Sequence, residues 1–225
     1  MARGQKRLIM SEADDYDEIA LKAVPYPEAF YGTVLDFIYP EDKKILELAC
    51  GTGMLTEMIV NKCPGAEVTC IDMDARMIEK AGKKPALSSV KFIEGDMRDC
   101  SGSGYDVVVV TQAIFFIGDS DRKKLIGKIY GMLNEGGRFI SGDMFAPGTE
   151  FEKNLYKKNW IDLMVSNGLS LSGAKDMIEP LDDFCGQNTI ESFSSALGEA
   201  GFTRVIAPYR LGYYGVVVGY KQAPM

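Results

Sequence analysis

The ten residues from Ile45 to Met54, ILELACGTGM, constrain this chain more than any other stretch. A short apolar run carries an acid, Glu47, and breaks into a turn with two glycines, Gly51 and Gly53. Helix-forming residues follow at once. A second apolar run, Val68 to Ile71, ends in Asp72. Glycine has no Cβ, so a ligand can come close to the backbone at such a turn. The N–H groups that open the next helix favour a negative ligand group. An acid about 20 residues beyond the glycines suits a pair of ribose hydroxyls. These features predict a strand–turn–helix unit of an α/β fold that binds a nucleoside-containing cofactor.

The third glycine of the dinucleotide fingerprint, which serves close helix–strand packing, is replaced by Thr56. The pattern Glu47-x-x-x-Gly51-x-Gly53 instead resembles motif I of the class I S-adenosylmethionine (SAM) methyltransferases. Further segments resemble the same family in order. Phe92 to Met97 (FIEGDM) matches the segment after strand three, Tyr105 to Ile117 strand four and its loop, and Leu133 to Ile140 the turn into strand five. The resemblance runs from about Asp14 to Lys221.

It implies a Rossmann-like, doubly wound sheet of seven strands in the order 3-2-1-4-5-7-6, with strand 7 antiparallel. Strands are expected near 44–48, 67–72, 90–94, 106–111 and 137–143, then 202–207 and 215–220 around a turn at Leu211-Gly212. Helices are expected near 16–23, 27–38, 53–61, 75–81, 120–133 and 189–200, with Asp74 and Asp119 as N-caps. The whole chain reads as one domain: a helical cap over 1–40 that begins in a loose arm (1–11), a cofactor-binding core over 44–144, a helical insertion over 145–187, and a terminal helix and hairpin over 188–221. Phe151, Tyr156, Trp160, Leu163 and Met164 recur at helical spacing in the insertion. It follows strand five at the ligand-binding edge of the sheet and is expected to act as a lid, a helix packed on the sheet edge being the alternative.

The resemblance also assigns residues. SAM is the implied cofactor and S-adenosylhomocysteine the product. Gly51 and Gly53 leave room for the methionine part, with Glu47 and Ala49 leading into the turn. Asp72 holds the ribose and Met73 lies against the adenine. Asp96 faces the adenine amino group, with Met97 beside it. Thr111 and Gln112 lie near the reacting sulfur. The alternatives for Asp72 and Asp96 are a helix cap and a turn residue. Tyr16-Asp17 and Val24-Pro25-Tyr26 resemble a subgroup whose N-terminal segment folds over the cofactor, a neighbourhood that includes trans-aconitate methyltransferase and carboxy-SAM synthase.

Methyl transfer from a sulfonium is a direct displacement that depends on in-line placement. Histidine is the usual base near neutral pH, yet the chain contains none. Either the acceptor needs no base, or Asp143, Tyr16, Tyr26 or a lid residue serves. Tyr26, Gln112 and Asp143 are the catalytic candidates. Phe115 and Phe116 stand where many relatives carry a His-His pair. With Trp160 they are expected to line the acceptor pocket, core packing being the alternative for the two phenylalanines. No arginine cluster suits a polyanionic acceptor.

Composition narrows the partners. The net charge of −7 argues against nucleic acid, which calls for a basic face. No apolar run reaches the ~20 residues that span a bilayer, and the basic N-terminus has too short an apolar part for a signal peptide. A cytoplasmic location and no membrane partner are expected. The five cysteines show no framework spacing, so free thiols and no metal are expected. A small-molecule acceptor is the expected partner, and a homodimer is compatible with the sequence. Two other readings remain open: a nicotinamide-dependent oxidoreductase, and a SAM-binding sensor without activity.

Overall fold

The computed structural model describes residues 16–181 and 188–222. The expected arm over 1–11, Cys185 and the end of the insertion (182–187) lie outside the described residues.

Two helices come first, α1 (Tyr16–Ala23) and α2 (Pro27–Asp36). Strand–helix alternation follows: β1 (Lys44–Leu48), α3 (Met54–Lys62), β2 (Glu67–Asp72), α4 (Ala75–Gly82), β3 (Lys91–Glu94), β4 (Tyr105–Thr111), α5 (Asp119–Met132) and β5 (Leu133–Met144). Then come α6 (Glu150–Ser166), α7 (Leu171–Ile178), α8 (Ile190–Ala200), β6 (Arg204–Leu211) and β7 (Tyr214–Tyr220). The strands form one sheet in the order β3-β2-β1-β4-β5-β7-β6. β7 is antiparallel to both of its neighbours and the other pairings are parallel. The architecture is the expected one.

The valine run of β4 shows why the sheet needs helices on both sides. Side chains alternate across a strand. Val107 and Val109 enter the core shared with α2, α3, α6 and α7, whereas Val108 and Val110 enter the core shared with α5 and α8. All four are fully buried. A strand buried on both faces reads as a continuous apolar run, as parallel strands under crossover helices do.

Three local expectations need correction. Asp119 is not the cap of α5: Gly118 occupies that position and Asp119 lies in the first turn, where its carboxylate accepts from Arg122 at 2.9 Å. Asp74 does cap α4, accepting from the Arg76 N–H. Strand β6 continues past Ala207 to Leu211 across an irregularity between Ile206 and Tyr209. Pro208 sits in this break on the edge strand, where a missing donor costs least. In the insertion, Trp160 and Met164 are buried against the sheet, but Phe151 is exposed at the start of α6. A capping box between Thr149 and Glu152 starts that helix.

A buried ion pair ties the end of α2 to β5. Arg138, on β5, donates to Asp42 and to the Phe37 carbonyl. Both charged side chains are almost wholly buried. The guanidinium also stacks on the Tyr39 ring, 4.0 Å from its centroid, and Asp42 accepts from the Tyr39 N–H at 2.6 Å. Removing one partner of a buried pair strands the other charge. Asp42→Ala is expected to destabilise the protein by about 3–5 kcal/mol in urea unfolding, and a loss below 1 kcal/mol would show that the pair is not holding this corner.

Candidate active site

The carboxyl ends of β1, β2, β4, β5 and β6 meet at one edge of the sheet, because these strands run in the same direction. The candidate residues gather there.

After β1 the chain turns sharply through Ala49, Gly51 and Gly53, all with positive φ. At Gly53, with φ 76, a Cβ would come within 2.7 Å of the end of the Leu87 side chain, so a side chain there would be strained and would have to displace Leu87. At Gly51 a Cβ would meet nothing within 4 Å, so the turn is open on that side. Asp72 closes it from β2. Its Oδ2 accepts from the Gly51 N–H at 2.7 Å and its Oδ1 from the Asp74 N–H at 2.9 Å. Each carboxylate oxygen keeps a further lone pair. Met73, next in the chain, is 69% exposed.

Glu47 lies beneath the turn rather than in it. It is buried, accepting from the Thr56 hydroxyl at 2.6 Å and from the Cys70 thiol at 3.7 Å. Thr56 therefore bonds the acid of β1 at the position where a dinucleotide fold has its packing glycine. Burial raises the Glu47 carboxyl to about 7, against the pull of the Thr56 and Cys70 bonds. Cys50, Cys63, Cys70 and Cys100 are free and buried.

Helix α1 folds over the turn. The Thr52 hydroxyl donates to Asp17, and Lys84 lies 3.5 Å from Asp17 and 3.6 Å from Glu57. Tyr16 is deeply set, its hydroxyl pushed up first by burial, then by Asp72 and Asp17 nearby.

Gln112 leaves β4 with φ 53. Its Nε2 donates to the Tyr31 hydroxyl at 2.7 Å, and its backbone N–H to the Gly142 carbonyl at 2.8 Å. Tyr31 was not a candidate by sequence. It is buried on α2, and burial raises its hydroxyl, with Tyr16, Glu47 and Asp17 close enough to add to the shift. The signal it offered was slight: a tyrosine on the buried face of a helix usually needs a partner for its hydroxyl. Among the described residues the non-glycine residues with positive φ are Tyr26, Ala49 and Gln112. All three lie at this edge, where backbone strain of order 1–3 kcal/mol per residue is concentrated.

Other candidates are placed differently from expectation. Asp143 is 0% exposed and is not presented to a ligand. Its Oδ2 accepts from the Ala113 and Ile114 N–H groups at 3.2 and 2.7 Å, and its Oδ1 from its neighbour Met144 at 2.8 Å. Burial pushes its carboxyl up to about 7, against the pull of these N–H groups. These bonds hold the loop after β4. Phe115 is buried in the core, and Phe116 packs on it with ring centroids 3.9 Å apart. Asp96 is engaged by Arg98, whose backbone N–H, Nε and Nη2 all donate to it. Those bonds take up its acceptor positions and hold its carboxyl below the usual range. Met97 follows it in a short 3-10 turn (Met97–Asp99). Trp160, by contrast, is largely buried with its indole N–H donating to the Ala23 carbonyl at 2.7 Å, and it still lines a cleft at this edge.

The family model described as "Methyltransferase domain" matches residues 45–137. That interval holds the glycine turn, Asp72, Asp96 and the loop after β4. The match and the ordered motifs support a class I SAM-dependent methyltransferase. A carboxy-S-adenosyl-L-methionine synthase of Campylobacter concisus is 25% identical over 218 residues, covering 93% of this chain and 92% of the relative. A solved structure of human N-acetylserotonin methyltransferase with SAM has a TM-score of 0.66 at 16% identity, covering 98% of this chain and 61% of that one. A candidate SAM-dependent methyltransferase from Methanococcus maripaludis has a TM-score of 0.65 at 18% identity, covering 100% of this chain and 99% of that one. At these identities the solved structures speak to the fold. The domain match, the relatives and the solved neighbours together support a SAM-dependent methyltransferase with SAM as its cofactor. Among the described residues no helix is long and apolar enough to cross a membrane.

Two outcomes are expected. Glu47 has its folded pKa raised above the unfolded value of 4.5, to about 7. Its contribution to stability is therefore full below 4.5 and is lost as pH rises through about 7. Urea midpoints at pH 5 and pH 8 should show the lower stability at pH 8, and Glu47→Gln should reduce the difference; an unchanged difference would mean that Glu47 does not carry it. Tyr31→Phe and Gln112→Ala, singly and together, should show a coupling of about 1 kcal/mol in the same assay. Strict additivity would mean that the bond between them contributes nothing.

Proposed function

We propose that this methyltransferase transfers the methyl group to a small molecule. We assign the cofactor grip to the turn at Gly51, to Asp72 and to α1. The carrying observation is the Asp72 carboxylate. It is tied to the glycine turn through the Gly51 N–H and to α4 through the Asp74 N–H, and it keeps acceptor positions for two ribose hydroxyls. The open side of Gly51 leaves room for the methionine part, and the exposed Met73 offers an apolar face to the adenine. Tyr16 and Asp17 close the site from the N-terminal side, and Glu47 with Thr56 sets the shape of the turn from below. SAM supplies an electrophilic methyl group on a cationic sulfur. Thr111 and Gln112, held by Tyr31, bound the space where that methyl is presented, and Asp143 fixes the loop that carries Ala113 and Ile114 beside it.

A small acceptor is supported by the acidic net charge of −7 and by the aromatic residues around the sheet edge. With no histidine in the chain and Asp143 turned inward, the acceptor has to be nucleophilic near neutral pH or to be deprotonated by a tyrosine. Carboxylates, thiols and weakly basic amines meet the first condition, and activated hydroxyls the second. We place the protein in the cytoplasm.

Calorimetry with S-adenosylhomocysteine should give saturable binding, and NAD should give none; tight NAD binding without an S-adenosylhomocysteine signal would sink the cofactor assignment. Asp72→Ala should weaken S-adenosylhomocysteine by about 1–3 kcal/mol. Labelled SAM offered to metabolite and RNA pools should label a small molecule, and label in RNA alone would overturn the acceptor class. S-adenosylhomocysteine bound without turnover on any pool would mark a sensor. As a lid, α6 and α7 should gain hydrogen-exchange protection when S-adenosylhomocysteine and acceptor are both present. Equal protection in both states would make the insertion a fixed part of the core.

A further inference from the structure

A cleft of about 500 Å³ opens between the α1–α2 junction, α6 and the β6–β7 turn. It lies at the same edge of the sheet as the glycine turn, since Leu211 ends β6 there and Tyr214 pairs with Met144 at the end of β5. Its size is that of a site for a small organic molecule.

The lining is unusual in composition. Tyr26, Tyr156, Trp160, Tyr213 and Tyr214 supply five aromatic rings. Three are already set in fixed relation. Trp160 meets Tyr214 edge-on at 5.2 Å and lies at a tilt to Tyr213 at 6.1 Å. The indole is pinned by its bond to the Ala23 carbonyl at 2.7 Å, so the wall is formed before a ligand arrives. Tyr26 is 62% exposed and held with φ 48 at the start of α2, which leaves its ring free to close on a guest. Among the described residues no lysine or arginine lines the cleft, and the one charged lining residue is Asp162. Asp162 accepts from Lys158 at 2.9 Å, and both side chains are well exposed, so the negative charge is softened but not reversed.

We propose that this cleft is the acceptor subsite and that it takes a planar aromatic molecule without an anionic substituent, neutral or cationic. The inference rests on the methyl-transfer reading and narrows its acceptor class. Rings stack or pack edge-on against tyrosine and tryptophan, and a cationic substituent is further favoured by aromatic faces and by Asp162. An anion would meet that carboxylate without a basic residue in the wall to compensate.

Trp160 is the single tryptophan of the chain, so its fluorescence reports directly on the cleft, whether or not methyl transfer occurs. Three phenols of matched shape serve as probes: tyramine (cationic), 4-methylphenol (neutral) and 4-hydroxyphenylacetate (anionic). Each is titrated with and without S-adenosylhomocysteine. Tyramine and 4-methylphenol should change the Trp160 signal saturably. The anion should bind roughly fivefold more weakly or worse, the size of one charge contact close to water. Tyr26→Asn, which keeps a residue tolerant of positive φ, should weaken tyramine binding roughly two- to tenfold. Equal or tighter binding of the anion would overturn the proposed class. No saturable change with any probe, or a Tyr26→Asn variant that binds tyramine as before, would remove the cleft as the subsite. A protein that failed to bind S-adenosylhomocysteine in calorimetry would count against the methyl-transfer reading instead, because the titrations without it test the cleft alone.

Discussion

Burial of the central strands on both faces is the constraint on which the rest depends. β1, β2 and β4 are covered above and below, and their apolar side chains are nearly all inaccessible. Polar backbone and charged groups are costly inside such a layer unless bonded. They can therefore reach a ligand only where the strands stop. Glu47 shows the rule from the inside: an acid one step before the end of β1 is buried and has to be bonded by Thr56. Asp72 shows it from the outside. At the last position of β2 it reaches both the glycine turn and the start of α4.

The edge is held in a high-energy conformation by the layers around it. Ala49 and Gln112 both adopt positive φ without being glycine, and each lies directly after a buried strand. Gln112 is kept in place by the Tyr31 hydroxyl and the Gly142 carbonyl. The following loop is kept in place by Asp143 from β5. A carboxylate that looks like a base in the sequence thus acts as an anchor, because its acceptor positions are spent on backbone N–H groups. Strain of this kind persists only where neighbouring structure over-determines it, and here α2, β5 and the β4 loop do so together.

The proposed acceptor side differs from the proposed cofactor side in its physics. The cofactor side is polar and built from backbone and acids. The acceptor side is aromatic and depends on elements distant in sequence: the α1–α2 junction, α6 and the last hairpin. The chain's lack of histidine fits this division. On the proposed reading, recognition there would rely on ring packing and exclusion of water, and the demands on acid–base chemistry would pass to the acceptor itself.

Much of this was legible in the sequence. The valine run of β4, the ILELACGTGM stretch and Asp72 are local patterns whose physical meaning does not depend on the rest of the chain. Alternation, a glycine turn and an acid at a strand end therefore located the strands and placed Asp72 beside the turn, while the family resemblance supplied the strand order. What tertiary structure decided was where side chains spend their bonding capacity. Asp143 turned inward, Asp96 was taken by Arg98, Tyr31 came into the site from a helix that reads as plain core, and Trp160 became a wall pinned by Ala23. Sequence spacing places residues on elements, but a hydrogen bond between residues 81 or 137 positions apart exists only after the layers have packed.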